Sequence, residues 1–360
     1  MVVCRMPSTD HSPLWPGVPL ALGSAVLFGA AAPFAKLLLG AIDPQFLAGL
    51  LYLGAGIGLA AVQAGRAALG VPASEAPLRA SDIPWLAVVV LFGGVVGPLL
   101  LMLGLARTAA ASGSLLLNLE GLATMGIAWL VFRENVDRRL LLGAMAILVG
   151  AAVLSWGGRG IELDRGAALI AGACLAWGID NNLTRKVSLA DPLQIAQWKG
   201  LIAGPVNLLL GLWAGGSLPG PLAMLVGGLV GFVCYGVSLA LFVVALRHLG
   251  TARTGAYFST APYIGAATAV IALQQPLTAQ LVAAGMLMAV GVWLHLTERH
   301  VHAHTHRRMV HAHAHSHDVH HRHTHGPQDP PGEPHTHAHE HDALTHSHPH
   351  VPDMHHDHRH

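Results

Sequence analysis

The side chains of this sequence that could carry chemistry are a few charged and amide groups inside long apolar runs. Glu120 lies two residues after Asn118, within the apolar stretch 115–135. A carboxylate in the middle of a membrane-spanning helix costs on the order of 3 kcal/mol unless it meets a partner or a wet cavity. We therefore expect Glu120 to face a polar cavity near the midplane and to bind and release a proton there. The alternative is a protonated Glu120 that is hydrogen-bonded between helices.

A second polar group, Asp180-Asn181-Asn182, interrupts another apolar run, and Lys199 lies in the run that follows. A short turn joins the two runs, so Asp180 and Lys199 are predicted to lie at similar depth and to form an ion pair that offsets the cost of burying each charge. The pair could act as a gate or substrate clamp that opens with the cavity, or it could only tie two helices together. Lys36, near the end of the first run, is a further transport candidate, although its long side chain could instead extend to the membrane surface.

The composition indicates that membrane helices position these groups. Hydrophobic residues make up 53 % of the 360 residues and charged residues 11 %, whereas a soluble domain carries about 25 % charged residues. Apolar residues run all round each predicted helix rather than along one stripe, which is typical of membrane-spanning or fully buried segments. We predict an all-α membrane protein in which an N-terminal segment, 1–16, precedes ten transmembrane helices at 17–38, 45–65, 83–106, 110–132, 139–157, 166–186, 191–213, 223–246, 252–273 and 277–297.

Short motifs recur between the two halves of this apolar body. The Asp-Pro pair at 43–44, for example, has a counterpart at 191–192. Such recurrence indicates two tandem units, here 17–157 and 166–297. Because each unit has an odd number of helices, the second must enter the membrane in the opposite sense. The sequence therefore predicts two inverted five-helix repeats, an arrangement in which many secondary transporters hold the substrate between the halves.

The basic residues predict how the chain is oriented. Lys and Arg concentrate in the loops on one side of the predicted bundle, and the positive-inside rule identifies that side as cytoplasmic. We therefore expect a protein of a bacterial-type cytoplasmic (inner) membrane, with the lipid bilayer as a partner and both termini in the cytoplasm. Glycines four residues apart, such as Gly54 and Gly58, allow helices to approach closely. We expect them to pack the bundle, although the same patches could form the face of a homodimer.

Three motifs in this frame resemble the drug/metabolite transporter (DMT) superfamily, and in particular its EamA-type permeases. They are FGAAAPFAK in the first span, LLLNLE…FREN in the fourth, and WGIDNNLTRK followed by ADP in the sixth. The resemblance covers 17–297 and implies ten helices in two inverted five-helix repeats, a central cavity, and secondary transport by alternating access. The second half departs from the first at one point, because Gln275-Pro276 stands where the first half has Arg133-Glu134.

The chain changes character in its last segment, 298–360, which contains all of the histidines except His11, His248 and His295. Few apolar residues are present to form a core, so we predict that this tail is disordered. Neutral imidazole is a good ligand for zinc, nickel, cobalt and copper, and a loose chain of histidines is expected to bind such ions without selecting one. The tail could instead be a pH-dependent charge brush or a low-complexity expansion without a role. The predicted metal ligands are His302, His304, His306, His311, His313, His315, His317, His335, His337, His339 and His341.

These features favour a secondary transporter, specifically an exporter of small organic metabolites, which would be driven by ion gradients. The first alternative is a carrier of divalent metal ions or their chelates, with the tail gathering ions at the cytoplasmic mouth. A third hypothesis is a metal-buffering protein whose membrane body only anchors the tail, although an anchor needs one helix rather than ten. The sequence contains no recognisable catalytic constellation, phosphate-binding loop or nucleic-acid-binding patch. We therefore expect neither an enzyme nor an ATP-driven pump, and no required cofactor.

Overall fold

The computed structural model describes residues 16–70, 78–132, 137–156, 164–184 and 191–297, together with the backbone of four short segments of the tail. Up to residue 297 these residues form ten helical spans, so the predicted all-helical body is confirmed. In chain order the spans are α1 (Gly17–Leu38), α2 (Pro44–Ala68), α3 (Ala80–Arg107), α4 (Ala110–Val131), α5 (Arg138–Leu154), α6 (Arg165–Thr184), α7 (Pro192–Trp213), α8 (Pro221–Leu246), α9 (251–272) and α10 (Ala279–Leu296).

Several of these helices are suited to a bilayer. Among the described residues, six helices are long and apolar enough to cross a membrane, namely α1, α2, α3, α4, α8 and α10. Each contains at least 18 residues, and at 1.5 Å per residue about 20 residues span a hydrocarbon core. Large apolar side chains such as Leu130, Leu222 and Ile271 are exposed. A bilayer would cover this apolar surface.

Asp-Pro caps set the start of two helices that correspond to each other in the two halves. Asp43 precedes α2 and Asp191 precedes α7, and each side chain accepts a hydrogen bond from the backbone N–H two residues on, at 2.9 Å. An Asp at this position satisfies an N–H group that has no partner within the helix. The proline that follows lacks an N–H and is pre-set for the first helical turn. The recurring Asp-Pro pair is therefore a recurring helix start.

Four spans are interrupted, and the interruptions also correspond. α3 contains a π-helical segment at Val90–Val96, and α8 contains one at Phe232–Val237. α4 breaks at 117–118 and α9 at 259–260. Segments of π-helix widen the helical turn and frequently occur at functional sites. The third and fourth helices of each set of five are thus both irregular.

Equivalent helices of the two sets of five make equivalent contacts. The second helices of the two sets, α2 and α7, pack against each other, and so do the fifth helices, α5 and α10. The third helix of each set packs against the first helix of the other set, which gives the pairs α3 with α6 and α8 with α1. Gly56 of α2 and Gly200 of α7 lie so close together that a Cβ on either would collide with the backbone of the other helix. Small residues permit this approach in membrane proteins. The two sets of five helices therefore interlock.

The tail contains strands, contrary to the prediction. They are β1 (Val301–Thr305), β2 (Met309–His315), β3 (His335–His341) and β4 (Thr345–Pro349), and β1 pairs with β4 and β2 with β3, both antiparallel. The prediction of a wholly disordered tail is therefore wrong for these segments. It considered only the shortage of residues for a core, whereas a His-x-His alternation has the two-residue period of a strand. The predicted ligands His306 and His317 lie outside the described residues.

Candidate functional site

The ion pair predicted between α6 and α7 is present. The Lys199 ammonium donates to Asp180 Oδ2 at 2.6 Å, and the Thr184 hydroxyl donates to Asp180 Oδ1 at 3.1 Å. The Lys199 side chain is 18 % exposed and that of Asp180 6 %. Both carboxylate oxygens thus have a donor, which offsets part of the cost of burying the charges.

A network of amides ties Glu120 to α6. Asn181 Nδ2 donates to Glu120 Oε1 at 3.0 Å and to Thr124 Oγ1 at 3.1 Å. Asn182 Nδ2 donates to the backbone carbonyl of Thr124 at 2.9 Å. Glu120 is half-buried and Asn181 is exposed. Glu120 on α4 and Lys199 on α7 therefore bond to consecutive residues of α6, Asn181 and Asp180.

Two other predicted residues lie apart from this network. Asn118, in the break of α4, is buried, donates to a carbonyl one turn earlier, and contacts the Met288 sulfur at 3.8 Å. The Lys36 ammonium donates to the carbonyls of Leu105 and Ala106, in the last turn of α3. A cation at a helix C-terminus satisfies carbonyls that lack partners within the helix. Lys36 therefore caps α3, a contact that the sequence did not predict.

Side chains from three helices hold the π-helical segment of α3. The Tyr52 hydroxyl and the Trp177 indole both donate to the carbonyl of Gly93, at 2.6 and 3.0 Å. Asn207 Nδ2 donates to the carbonyl of Gly94 at 3.0 Å. These donors come from α2, α6 and α7. The irregular part of α3 is thus fixed at the centre of the bundle, next to the ion pair.

A cavity of about 240 Å³ lies between α1, α2, α7, α8 and α9. Of the described residues that line it, Lys199 carries a charge, and Tyr52, Tyr235 and Ser238 carry hydroxyl groups. This volume, somewhat below the roughly 300–1,000 Å³ of typical ligand pockets, suits a small solute. Its walls are formed by Phe28, Tyr52, Ala55, Leu59, Ala196, Lys199, Gly200, Tyr235, Ser238, Leu239, Phe242 and Phe258.

Five aromatic side chains form a continuous cluster along this cavity. Ring centroids are 5.8 Å apart for Phe28 and Tyr235, 5.9 Å for Tyr52 and Tyr235, and 5.0 Å for Phe242 and Phe258, with Phe28 and Phe258 at 5.1 Å. Such tilted and edge-on pairs are favourable arrangements. Sequence reasoning missed this cluster, although a signal existed: aromatic residues are only 6 % of the chain, and these five lie inside spans rather than at their ends.

The cavity differs from the one that we expected around Glu120. Neither Glu120 nor Asn118 is among the described residues that line it. The Glu120 carboxylate instead accepts a hydrogen bond from the Asn181 amide, and of the residues in the polar contacts described above only Lys199 and Tyr52 line the cavity. The structure thus holds a cavity between the two sets of five helices, but one with aromatic walls and a lysine rather than a carboxylate.

The described side chains contain no group of three or more His, Cys, Asp or Glu residues that could hold a metal ion. Cys174 and Cys234 are buried free thiols. Nine of the predicted tail ligands fall within the strands, namely His302, His304, His311, His313, His315, His335, His337, His339 and His341.

The helical arrangement is shared with a solved structure, described only as the crystal structure of a protein. It matches with a TM-score of 0.56 at 18 % identity, over 78 % of this chain and 96 % of that chain. At this identity the likeness concerns the fold alone. The six long apolar helices among the described residues are those of a multi-pass helical membrane protein.

Sequence relatives make the assignment specific. Over 285 residues the chain is 30 % identical to an uncharacterized transporter of Methanothermobacter thermautotrophicus. The match covers 75 % of this chain and 83 % of the relative. The EamA-like transporter family matches residues 15–156 and 164–297. The chain belongs to the EamA-like transporter family, and the resemblance drawn from its motifs is confirmed.

Proposed function

We propose that this protein is a secondary transporter that exports small organic solutes across the cytoplasmic membrane and binds them in the aromatic cavity. The observation that supports this best is the origin of the cavity walls. α1 and α2 come from the first set of five helices, and α7, α8 and α9 from the second. A site between two repeats can be exposed to either side when one half rocks against the other. On this proposal the protein carries out no covalent chemistry.

The lining favours a solute with an apolar body and an anionic group. The aromatic rings would pack against the apolar part, and the Lys199 ammonium would receive a carboxylate or a similar anion. Lys199 is bonded to Asp180, so a bound anion would compete with Asp180 for it. Binding would thereby loosen α6 from α7. A ligand that changes the strength of a contact between helices can shift the balance between two conformations.

Glu120 is proposed to couple this movement to protons. Asn181, which donates to Glu120, directly follows Asp180 in α6. A movement that separates Asp180 from Lys199 would also displace the amide that faces Glu120. The environment of the carboxyl would change with the state of the cavity, which is what coupling of a proton to a solute requires.

The orientation with both termini in the cytoplasm is part of the proposal. It rests on the distribution of basic residues in the loops. One contact supports it, because the Arg139 guanidinium, in the first turn of α5, donates to the carbonyl of Thr297, after the end of α10, at 3.2 Å. These two ends of the body therefore lie on the same side of the bundle. Arg138 and Arg139 are among the residues that predict the cytoplasmic side.

The test begins with purified full-length protein in detergent and a panel of small organic acids, amines and zwitterions. A solute that binds the native state raises the melting temperature. We expect stabilisation by apolar anions or zwitterions, and its loss in Phe28→Ala, which removes a cavity wall. Phe34→Ala is the matched control, because Phe34 lies on the same helix but is 41 % exposed on the outer surface.

Solutes that stabilise the protein are then loaded into proteoliposomes, and their efflux is measured with and without a proton gradient. Gradient-dependent efflux that Phe28→Ala abolishes and Phe34→Ala keeps would support the proposal. Equal stabilisation of both variants would remove the cavity as the binding site. Binding without efflux would argue against transport. The metal-carrier alternative remains a prediction, which the same vesicles test with zinc as the cargo.

A further inference from the structure

Three apolar side chains close one end of the aromatic cavity. Leu59 of α2, Leu193 of α7 and Val243 of α8 are buried and form a hydrophobic cluster separate from the largest core cluster of the bundle. We propose that this apolar seal is a gate of the cavity, which admits organic solutes with an apolar body and excludes hydrated metal cations. The inference rests on the proposed transport function, since it names the gate and the solute class of the same cavity.

Each member of the apolar seal lies one helical turn from a cavity-lining residue of the same helix. The pairs, with the cavity residue first, are Ala55 and Leu59, Ala196 and Leu193, and Leu239 and Val243. Residues three or four apart share a face of a helix, and one turn is about 5 Å long. Ala196 and Leu239 also pack against the cluster, so the seal directly adjoins the cavity.

The three steps from the cavity to the seal lead to the same end of the bundle. α2 and α7 run antiparallel, because Gly49 packs against Leu208 and Gly56 packs against Gly200. α8 follows α7 and returns in the opposite direction, so it runs parallel to α2. A step forward along α2 or α8 and a step back along α7 therefore lead to the end where α7 begins. Leu193 is the second residue of α7, so the seal is the last apolar layer before this end.

The opposite end of the cavity is closed by helix backbones rather than by side chains. A Cβ at Gly54 of α2 would collide with the backbone of Gly228 in α8. A Cβ at Gly29, which directly follows the cavity residue Phe28, would collide with the carbonyl of Ala261 in α9. Helices must separate to open such contacts, whereas side chains can rotate on a much shorter timescale. The apolar seal is thus the closure that side-chain movement alone can open.

The chemistry of the seal determines what can cross it. Leucine and valine side chains contain no polar atom, so a metal cation that crossed would lose hydration without gaining a ligand. Hydrophobic constrictions exclude ions in channels by the same loss of water. The cation would also meet the Lys199 ammonium, six residues after Leu193 and therefore about 9 Å further along α7. An apolar solute body would instead replace the contacts within the seal, and its anionic group would be attracted to Lys199.

The seal is tested without any solute, through the reactivity of a cysteine placed in the cavity. Ala55→Cys is introduced into the full-length protein, with its three native cysteines replaced by alanine, in lipid nanodiscs. Modification rates are measured for a positively charged and a neutral methanethiosulfonate reagent of similar size. We expect Leu193→Ala to increase the rate with the charged reagent at least tenfold. Leu193→Asn, which keeps the size but adds a polar group, should reduce the preference for the neutral reagent at least threefold.

Leu281→Ala is the matched control for Leu193→Ala. Leu281 of α10 is 7 % exposed, close to the 5 % of Leu193, but it belongs to the largest core cluster and does not line the cavity. Val243→Ala removes fewer atoms from the seal and decides the question if Leu193→Ala does not fold. Equal acceleration by Leu281→Ala, or no acceleration by either seal variant, would overturn the proposal.

The two halves of the proposal fail separately from the proposed function. An unchanged preference for the neutral reagent in Leu193→Asn would overturn the exclusion of cations. If the seal variants behave as expected but no solute leaves proteoliposomes in the efflux assay, the seal stands as the closure of the cavity and the transport proposal alone fails.

Discussion

Lys199 and Asp180 connect the cavity to the rest of the polar network through one short contact, 2.6 Å between Nζ and Oδ2. Lys199 lines the cavity, whereas Asp180 is covered on its other side by α3. Each charge is therefore shielded by protein and depends on the other. This mutual dependence is what allows a bound solute to act on helix packing.

Removing one partner of this pair should be more harmful than removing both. Lys199→Met leaves Asp180 as a buried charge without a counter-ion, and such changes cost about 3–5 kcal/mol. The double variant Asp180→Asn with Lys199→Met has no uncompensated charge and should melt at a higher temperature than Lys199→Met alone. Melting in detergent measures this, with the exposed first-turn variant Arg165→Gln as a control. A double variant that melts below both single variants would show that the pair is not electrostatically coupled.

Gly93 should tolerate no side chain. A Cβ at this position would collide with the Asp180 carboxylate, so Gly93→Ala must displace either the π-helical segment or the ion pair. Such overpacking typically costs about 1–3 kcal/mol. The expected result is a lower melting temperature, and weaker stabilisation by any solute found in the screen.

Gly126→Ala is the matched control for that change. Gly126 lies in α4, where a Cβ would meet nothing within 4 Å, and alanine stabilises a helix by about 0.5–1 kcal/mol relative to glycine. Its melting temperature should stay the same or rise slightly. If both alanine variants behave alike, the close approach of Gly93 to Asp180 has no energetic importance.

The ten spans and the ion pair could be predicted because both follow from local sequence. A run of apolar residues is sufficient to indicate a span, and the short stretch of sequence between α6 and α7 was enough to predict that Asp180 and Lys199 lie at similar depth. The aromatic cavity could not be predicted in this way. Phe28 and Tyr235 belong to different halves, and their rings meet at 5.8 Å only because α1 packs against the π-helical part of α8.

The strands of the tail were missed although the sequence contains a signal for them. Its lack of core residues was correctly recognised, but strand pairing needs a two-residue period rather than a core. His302 and His348 face each other through an alternation that was visible in the sequence. What the sequence could not supply was the partner of each strand, because β1 pairs with the distant β4 rather than with the adjacent β2.

Glu120→Gln should separate solute movement from proton movement. Glutamine keeps an oxygen that can accept from Asn181 but cannot ionise. With a solute from the screen, the variant should still exchange solute across vesicles at equal concentrations, and it should lose efflux driven by a proton gradient. Glu75→Gln, in the connection between α2 and α3, is a change of the same type away from the spans. Retention of gradient-driven efflux in Glu120→Gln would remove Glu120 as the coupling residue.

Ser24 and Ser238 should join the two halves through two separate hydrogen bonds. Ser24 Oγ donates to the carbonyl of Ser238 at 2.8 Å, and Ser238 Oγ donates to the carbonyl of Ser24 at 2.9 Å. Both side chains are almost fully buried, and polar bonds between membrane helices contribute about 0.6 kcal/mol on average and up to about 1.7 kcal/mol. Each of Ser24→Ala and Ser238→Ala should therefore lower the free energy of unfolding by an amount in this range.

The double variant tests whether the two bonds are independent. The two hydroxyl oxygens are also 3.2 Å apart, so the hydroxyls can contact each other as well as the backbone. Residues in contact usually show non-additive effects, and the double variant should lose less stability than the sum of the two single variants. Ser155→Ala, which removes a bond within α5 alone, controls for the loss of a serine hydroxyl. Strict additivity would mean that α1 and α8 are held by the two backbone acceptors without any contribution from the contact between the hydroxyls.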